Sequence, residues 1–293
     1  MTKDIYQEIT NHIIEALEKV EVADYKAPFA MLASHGLPTN VITGNGYRGV
    51  NTLVLWLQQQ KHQYVSHEWG TFMQWKEKGA QVRKGEKSTP IIFYRQVEKK
   101  EQEEEGDEPE FYPMVKSYNV FNAGQVDGCQ SSVVQEERTF STVERIEHIE
   151  CFIAASGAVI EEGKAGACYC PLTDIITMPG KALFLDNGQT ATENYYATLL
   201  HELTHWTGGS KRLAREQSSY HADRQCYAFE ELIAELGSAF ICSKFGINQH
   251  GRDDHAIYIK SWLSALKQDK KYIFKAASQA QKAVDWLSGR AGT

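Results

Sequence analysis

The sequence predicts an α+β protein of two domains, a small α+β unit followed by a mainly helical one. At 293 residues the chain exceeds the usual size of a single hydrophobic core. Its first half mixes helix-period and strand-period segments, whereas its second half is dominated by long apolar-periodic helices. One of those helices carries the tight pattern His201-Glu202-Leu203-Thr204-His205. Hydrophobic residues at 42% and charged residues at 24% supply a core and exclude a disordered chain.

The elements follow in order. Ile5, Ile9, Ile13, Leu17 and Val20 recur at three- and four-residue steps, predicting a helix over Asp4 to Val20 with one buried face. A second helix, Val50 to His62, follows a turn with glycines at 44, 46 and 49. A short third helix runs from a Thr71 cap to Gly79. Strands AQVR and TPIIFYRQV flank the turn KGEK, and MVKSYNVFNAGQV forms another strand beyond the acidic run KKEQEEEGDEPE, residues 99–110. That run reads as a solvated loop. A polar, weakly periodic stretch then divides the chain into domains at 1–128 and 143–293, with 129–142 as linker. Beyond it come a helix over Val143 to Ser156, strands near ACYC and DIITMP, and helices near 193–207, 227–245, 253–268 and 271–287. No internal repeat is present.

The early residues lack an uninterrupted apolar core, and no apolar run approaches bilayer length. Six cysteines without a C-x-x-C pair suit a reducing compartment, so a cytoplasmic protein with buried thiols and no membrane partner is expected.

His201 and His205 are four apart, so on a helix both imidazoles project from one face and reach a single cation. Glu202 beside them suits a base that accepts a proton from activated water. Thr190 and Glu193 form a capping box ahead of the motif, and Gly208-Gly209 ends it. Downstream, Glu231 and Glu235 share a face of the helix YAFEELIAELGSAF. Catalytic zinc takes two histidines and a carboxylate, making Glu231 the expected third ligand, with Glu230 as the alternative. Glu235 is then the hydrogen-bond partner behind a histidine Nδ1. Zinc is the expected ion, although the same donors accept manganese, cobalt or nickel.

The net charge of −7 hides a local asymmetry, since residues 61–95 hold seven basic and three acidic side chains. Aromatics interleave with them, which is what a single-strand binder needs: flat faces for bases and cations for phosphates. The candidate contacts to DNA are Tyr47, Arg48, Trp69, Trp75, Lys78, Arg83, Lys84 and Lys87, with Trp69 and Trp75 as the expected exposed rings and Trp56 buried in its helix.

The metal motif and its downstream helix resemble the gluzincin class of metallopeptidases. That resemblance implies an edge strand that holds an extended peptide, for which Asp174 to Pro179 is the candidate. It also implies a downstream Tyr or His that polarises an oxyanion, for which His255 and Tyr258 are the candidates. Across nearly the whole chain, the segments NVITGNGYRGVNTLVLW, EWGTFMQWKEKGAQVRKGEKSTPIIFY, DIITMPGKALF, YYATLLHELTHWTGGSKRL, YAFEELIAELGSAFIC and HAIYIKSWLSALKQDKKYIFKAASQAQKAVDWL resemble the ArdC-type antirestriction proteins of conjugative plasmids. The acidic run 99–110 lies outside that pattern. The resemblance implies an N-terminal single-stranded-DNA-binding domain, related to the N-terminal part of conjugative primases, joined to a zincin-like metallopeptidase domain. It implies protection of incoming unmodified plasmid DNA from restriction. The rival expectation is an active zinc metallopeptidase that cleaves a protein partner or the restriction machinery, with the first domain only for targeting to DNA.

Overall fold

The computed structural model describes residues 4–18, 36–98, 111–128, 146–164, 166–186, 189–215, 224–247 and 256–292. The expected acidic loop, the linker at 129–142 and His255 all lie outside the described residues.

The chain is an α+β protein with a strand-containing N-terminal unit and a largely helical C-terminal unit. Helix α1 (Ile5–Glu18) is followed by β1 (Thr39–Asn40), α2 (Val50–His62), β2 (Glu68–Gly70), α3 (Phe72–Glu77), β3 (Gln81–Val82), β4 (Thr89–Glu98), β5 (Phe111–Asn122) and β6 (Val126–Asp127). β1, β2, β5 and β4 form one sheet in that order, β1 and β2 pairing parallel and the others antiparallel. β3 and β6 form a separate two-stranded ribbon. The expected continuous strand over 114–126 is broken by a short 3-10 turn at Ala123–Gln125. Asn122 causes the break, because its Oδ1 accepts from the Gly124 amide and its Nδ2 donates to the Ser66 carbonyl, capping the turn from inside.

Helix α2 is pinned to this sheet by Asn51, which imitates a ladder partner: its amide donates to the Ile92 carbonyl at 2.7 Å and its Oδ1 accepts from the Ile92 amide at 2.9 Å. Thr71 and Gln74 form a capping box at the start of α3, and Gly79 adopts φ +77 where the expected helix ends.

The second unit comprises α4 (Glu147–Ser156), β7 (Val159–Lys164), β8 (Cys168–Cys170), β9 (Ile175–Pro179), α5 (Ala191–Trp206), α6 (Arg224–Phe245), α7 (Ala256–Gln268) and α8 (Tyr272–Ala291). β7 was not legible in the sequence, for its residues VIEEGK are mostly exposed and carry charge instead of an apolar alternation. Strand order is β7-β9-β8, with β7 parallel and β8 antiparallel to β9. Asp174 to Pro179 was expected to supply an edge strand. It instead supplies the central strand β9, whose main chain is paired on both sides, and the edge beside α5 is β8.

One apolar cluster runs through both units, joining Ile9, Ile13 and Leu17 of α1 and Leu53, Val54 and Trp56 of α2 to Leu200, Phe240, Trp262, Ile273 and Ala277. Trp56 meets Phe240 with ring centroids 5.8 Å apart. Polar contacts follow the same seam: Thr10 Oγ1 donates to the Lys270 carbonyl at 2.8 Å, and the Gly49 amide donates to Gln281 Oε1 at 3.0 Å. The cysteines depart from the expectation of buried thiols, since among the described residues only Cys242 is buried. No described helix is long and apolar enough to cross a membrane.

Because the seam is a hydrophobic core, the two units should unfold together. Trp56→Ala is expected to lower stability by about 3–5 kcal/mol while leaving one denaturant transition for both units. Tyrosine fluorescence and far-UV circular dichroism that separate into two transitions would count against a shared core.

Candidate metal centre and nucleic-acid interface

Helix α5 opens on the Thr190–Glu193 capping box and buries nearly every residue of its last turns, His201 to Trp206 included. Its neighbour α6 crosses it at Gly237, where an added Cβ would sit 2.5 Å from Thr204 Cγ2. That glycine lets the helices close until Glu231 reaches the imidazoles. His201 Nε2 and His205 Nε2 are 3.1 Å apart, and the Glu231 carboxylate oxygens lie 3.5 Å from the first and 3.6 Å from the second. Tetrahedral bonds of about 2.1 Å separate neighbouring donor atoms by about 3.4 Å, so the observed triangle suits one ion. Among the described residues these three donors form a group that could hold a metal, and all three are buried.

The surroundings fix the donors. His205 Nδ1 lies 3.3 Å from Glu230 Oε1, and Glu230 in turn accepts from Arg215 Nη2 at 2.8 Å and Nε at 3.0 Å. Arg215 also donates to the Thr204 carbonyl at 2.7 Å and to Thr207 Oγ1 at 3.0 Å, tying the pair to α5. Glu230, expected only as the alternative third ligand, thus stands behind His205. Glu235 is buried one turn beyond Glu231. Burial opposes a charge on either member of the pair. The carboxylates of Glu231 and Glu230 nevertheless raise the His205 pKa, and hydrogen bonding to His205 together with the Arg215 charge lowers that of Glu230. Glu202 is 4% exposed and its Oε2 accepts from the Tyr169 amide of β8 at 2.9 Å.

Tyr258 of α7 packs against α6. Its ring packs edge-on to Tyr227 at 5.6 Å, and the Tyr227 hydroxyl is hydrogen-bonded to both Glu231 and Tyr258. Burial, then the Glu231 carboxylate, pushes the Tyr227 phenol up. Tyr227 was missed by sequence reasoning although it left a signal, being four residues ahead of Glu231 on the same helix face. Arg215 left none, since it lies in a loop far in sequence from its carboxylate.

Comparison with known proteins bears on both halves. Residues 147–279 match the family described as zincin-like metallopeptidase, and residues 3–121 match the N-terminal domain of anti-restriction factor ArdC. The chain is 39% identical to the crystallised antirestriction ArdC protein from plasmid R388, over 99% of this chain and 98% of that one, with a TM-score of 0.81 to its metal-free structure. It belongs to the ArdC family. The Mn(II)-bound structure of the same R388 protein superposes with a TM-score of 0.78 at 39% identity, covering 99% of each chain. An uncharacterised protein of Sinorhizobium fredii, y4eC, is 39% identical over 97% of this chain and 91% of its own length. DNA primase TraC of Escherichia coli is 36% identical over 97% of this chain, which spans only 27% of that protein.

In the N-terminal unit of this ArdC-family chain the basic residues and the aromatics part company. Trp69 and Trp75, expected as exposed stacking rings, are both 0% exposed. Trp69 fills a core with Tyr47, Leu55, Ile91 and Val120, and Trp75 donates its indole N–H to the Phe121 carbonyl at 2.9 Å. An indole is the largest apolar group available to so small a sheet, and burial claims it. Tyr47 is buried too, and Arg48 pairs with Asp285 of α8 across the seam between units. Arg83 is held by Glu86 and donates to the carbonyls of Gly124 and Val126, so it braces the β3–β6 ribbon. Lys78, Lys84 and Lys87 are exposed. The exposed rings are others: Phe72 at 45%, and Phe93 with Tyr118, which meet edge-on at 5.3 Å. Phe72, Phe121, Arg83 and Lys84 line an open groove of about 520 Å³, with Glu86 and Asp127 also on its wall.

Gly237→Ala tests the helix crossing. Alanine gains up to about 1 kcal/mol of helix propensity, but overpacking costs about 1–3 kcal/mol, and Thr204 is held in place by its hydroxyl bond to the Leu200 carbonyl. The variant is expected to melt lower and bind divalent metal more weakly; unchanged metal affinity by calorimetry would refute the crossing's role. The His205 pKa gives a second expectation. A histidine raised by its partners stabilises the metal-free chain below the ordinary imidazole value of 6.5, and that contribution is lost as pH rises through the raised value. Metal requires neutral imidazole, so the gain in melting temperature on adding zinc should grow from pH 6.5 upward. A gain that is flat across this range would contradict the assignment.

Proposed function

We propose that this chain is a plasmid antirestriction protein that binds single-stranded DNA through its first unit (1–128) and carries a divalent-metal site in its second (143–293). The observation that carries the proposal is likeness to the R388 antirestriction protein over 99% of this chain, through both units. Among surface groups, Phe72 and the Phe93–Tyr118 pair are suited to stacking bases, and Lys78, Lys84 and Lys87 to following phosphates.

In the second unit, His201, His205 and Glu231 are the proposed ligands, for zinc first, with manganese also compatible given the ion in the R388 relative. A cation held there supplies Lewis acidity toward a carbonyl and acidifies water. Glu202, which is not among the donors, is the proposed proton acceptor, and its hydrogen bond from Tyr169 aims the carboxylate. Glu230 with Arg215 holds the tautomer and direction of His205. Tyr227, backed by Tyr258 and hydrogen-bonded to Glu231, takes the polarising role expected of Tyr258 or His255. An extended peptide would pair along β8, not β9. Peptidase action on a protein partner is the second reading, favoured by the burial of Glu202 against that edge.

Transfer of an unmodified plasmid into restricting recipients separates the two readings. Phe72→Ala is expected to cost about 1–3 kcal/mol of single-strand affinity, and Lys84→Gln with Lys87→Gln to flatten the salt slope by about 1.4, with protection lost in parallel. Under the first reading Glu202→Gln keeps protection; under the second it keeps DNA binding and metal but loses protection along with about 10²–10⁴-fold of hydrolysis. DNA-site variants that bind and protect like the wild type would remove the strand-coating proposal.

A further inference from the structure

The edge strand β8 touches the candidate base through main chain, and a separate cluster decides where β8 sits. Tyr169 is paired opposite Ile176 of β9, yet its amide points out of the sheet to Glu202. Its side chain turns the other way: the hydroxyl donates to Asp174 Oδ1 at 3.0 Å. Arg212 then closes the cluster. Its Nη1 donates to Asp174 Oδ2 at 3.0 Å, and its Nη2 donates both to Asp174 Oδ1 and to the Tyr169 hydroxyl, the latter at 3.1 Å. Its Nε donates to the carbonyl of Trp206, the residue after His205, and its guanidinium lies 3.8 Å over the Trp206 ring.

Each part of this bridge is built for it. The Arg212 side chain is 7% exposed, deeply buried for an arginine. Gly209 is the residue that lets it through, because a Cβ there would lie 2.0 Å from Nη2. Asp174 ends the turn between β8 and β9 at φ +58, a conformation aspartate tolerates, with its amide bonded to the Cys170 carbonyl at 2.9 Å. The Arg212 hydrogen bonds hold the Asp174 carboxyl below its ordinary range. None of the hydrogen bonds of Arg212 goes to His201, His205 or Glu231. A surface ion pair contributes little, but a planar fork that is buried, bidentate and stacked fixes geometry.

We propose that Arg212 is a positioning residue for Glu202: by tying the end of α5 to the β8–β9 turn, it sets the height of the β8 edge at which the Tyr169 amide meets the Glu202 carboxylate. Its consequence for catalysis rests on the reading of Glu202 as proton acceptor; its consequence for geometry does not. The substrate edge and the base then move as one body, so an incoming strand is registered against the carboxylate through Arg212.

The test uses the full chain labelled with ¹⁵N-tyrosine. Glu202→Gln identifies the Tyr169 amide, which moves upfield when it loses a charged acceptor. Arg212→Met is expected to move the same resonance in the same direction with metal content unchanged, and Arg212→Lys to restore part of the shift. With a cleavable peptide, Arg212→Met should lower kcat by about 10-fold to 100-fold at constant KM, with partial rescue by lysine. Asp174→Asn, at a carboxylate 46% exposed, should reproduce the shift should the methionine variant fail to fold. A Tyr169 amide that stays at its wild-type position in the folded Arg212 or Asp174 variant overturns the proposal. Absence of any hydrolysis by the wild type would instead defeat the peptidase reading and leave the resonance result to decide the positioning claim.

Discussion

Four glutamates, Glu202, Glu230, Glu231 and Glu235, are each 5% exposed or less, and the protein must compensate that buried acidity. An isolated buried carboxylate is too costly to keep ionised, so it is paired, protonated or bound to a cation. Glu230 is paired, through Arg215 and His205. Glu202 receives an amide from β8. Glu231 faces two imidazole nitrogens at a spacing suited to one ion. The second unit is arranged around this constraint: α5 and α6 must cross closely enough at Gly237 for α6 to bring its carboxylates to the α5 histidines, and the segment after α5 must return to deliver Arg212 and Arg215.

The two arginines serve different halves of that requirement. Arg215 reaches the α6 side and fixes His205 through Glu230, while Arg212 reaches the sheet side and fixes the strand that holds Glu202. Both come from the few residues beyond Gly208-Gly209, and Gly209 opens the path by which Arg212 folds back on the motif helix.

The N-terminal unit is joined to this arrangement by shared core instead of by a tether. α1 lies against α7, and α2 presents Trp56 to Phe240 of α6, the helix that carries Glu231. Any change that loosens the seam therefore reaches the candidate metal donors through one helix. Arg48 belongs to the same seam, which accounts for a basic residue of the glycine-rich turn being spent on Asp285.

Much of the fold was legible because it depends on local periodicity. The α2 boundaries, the Thr71 cap, the Thr190–Glu193 capping box and the helical run from α5 to α8 follow from apolar spacing and cap chemistry, and the i, i+4 histidines need only a helix to converge. Glu231 was legible only as one of two candidate carboxylates, beside Glu230, on an apolar-periodic helix. Exposure was not legible: Trp69 and Trp75 sit among lysines in sequence yet fill the sheet's core, and Phe72, Phe93 and Tyr118 have the open faces. Strand order, which made β9 central and β8 the edge, was not legible either, nor was the choice of Glu230 over Glu235 behind His205. Local spacing was enough for the helices, the α+β class and the convergence of His201 with His205, because side chains one turn apart meet whatever else the chain does. Which ring is buried, which strand is the edge and which arginine finds which carboxylate were decided only by tertiary structure, since those contacts join residues many positions apart and depend on how closely whole elements pack.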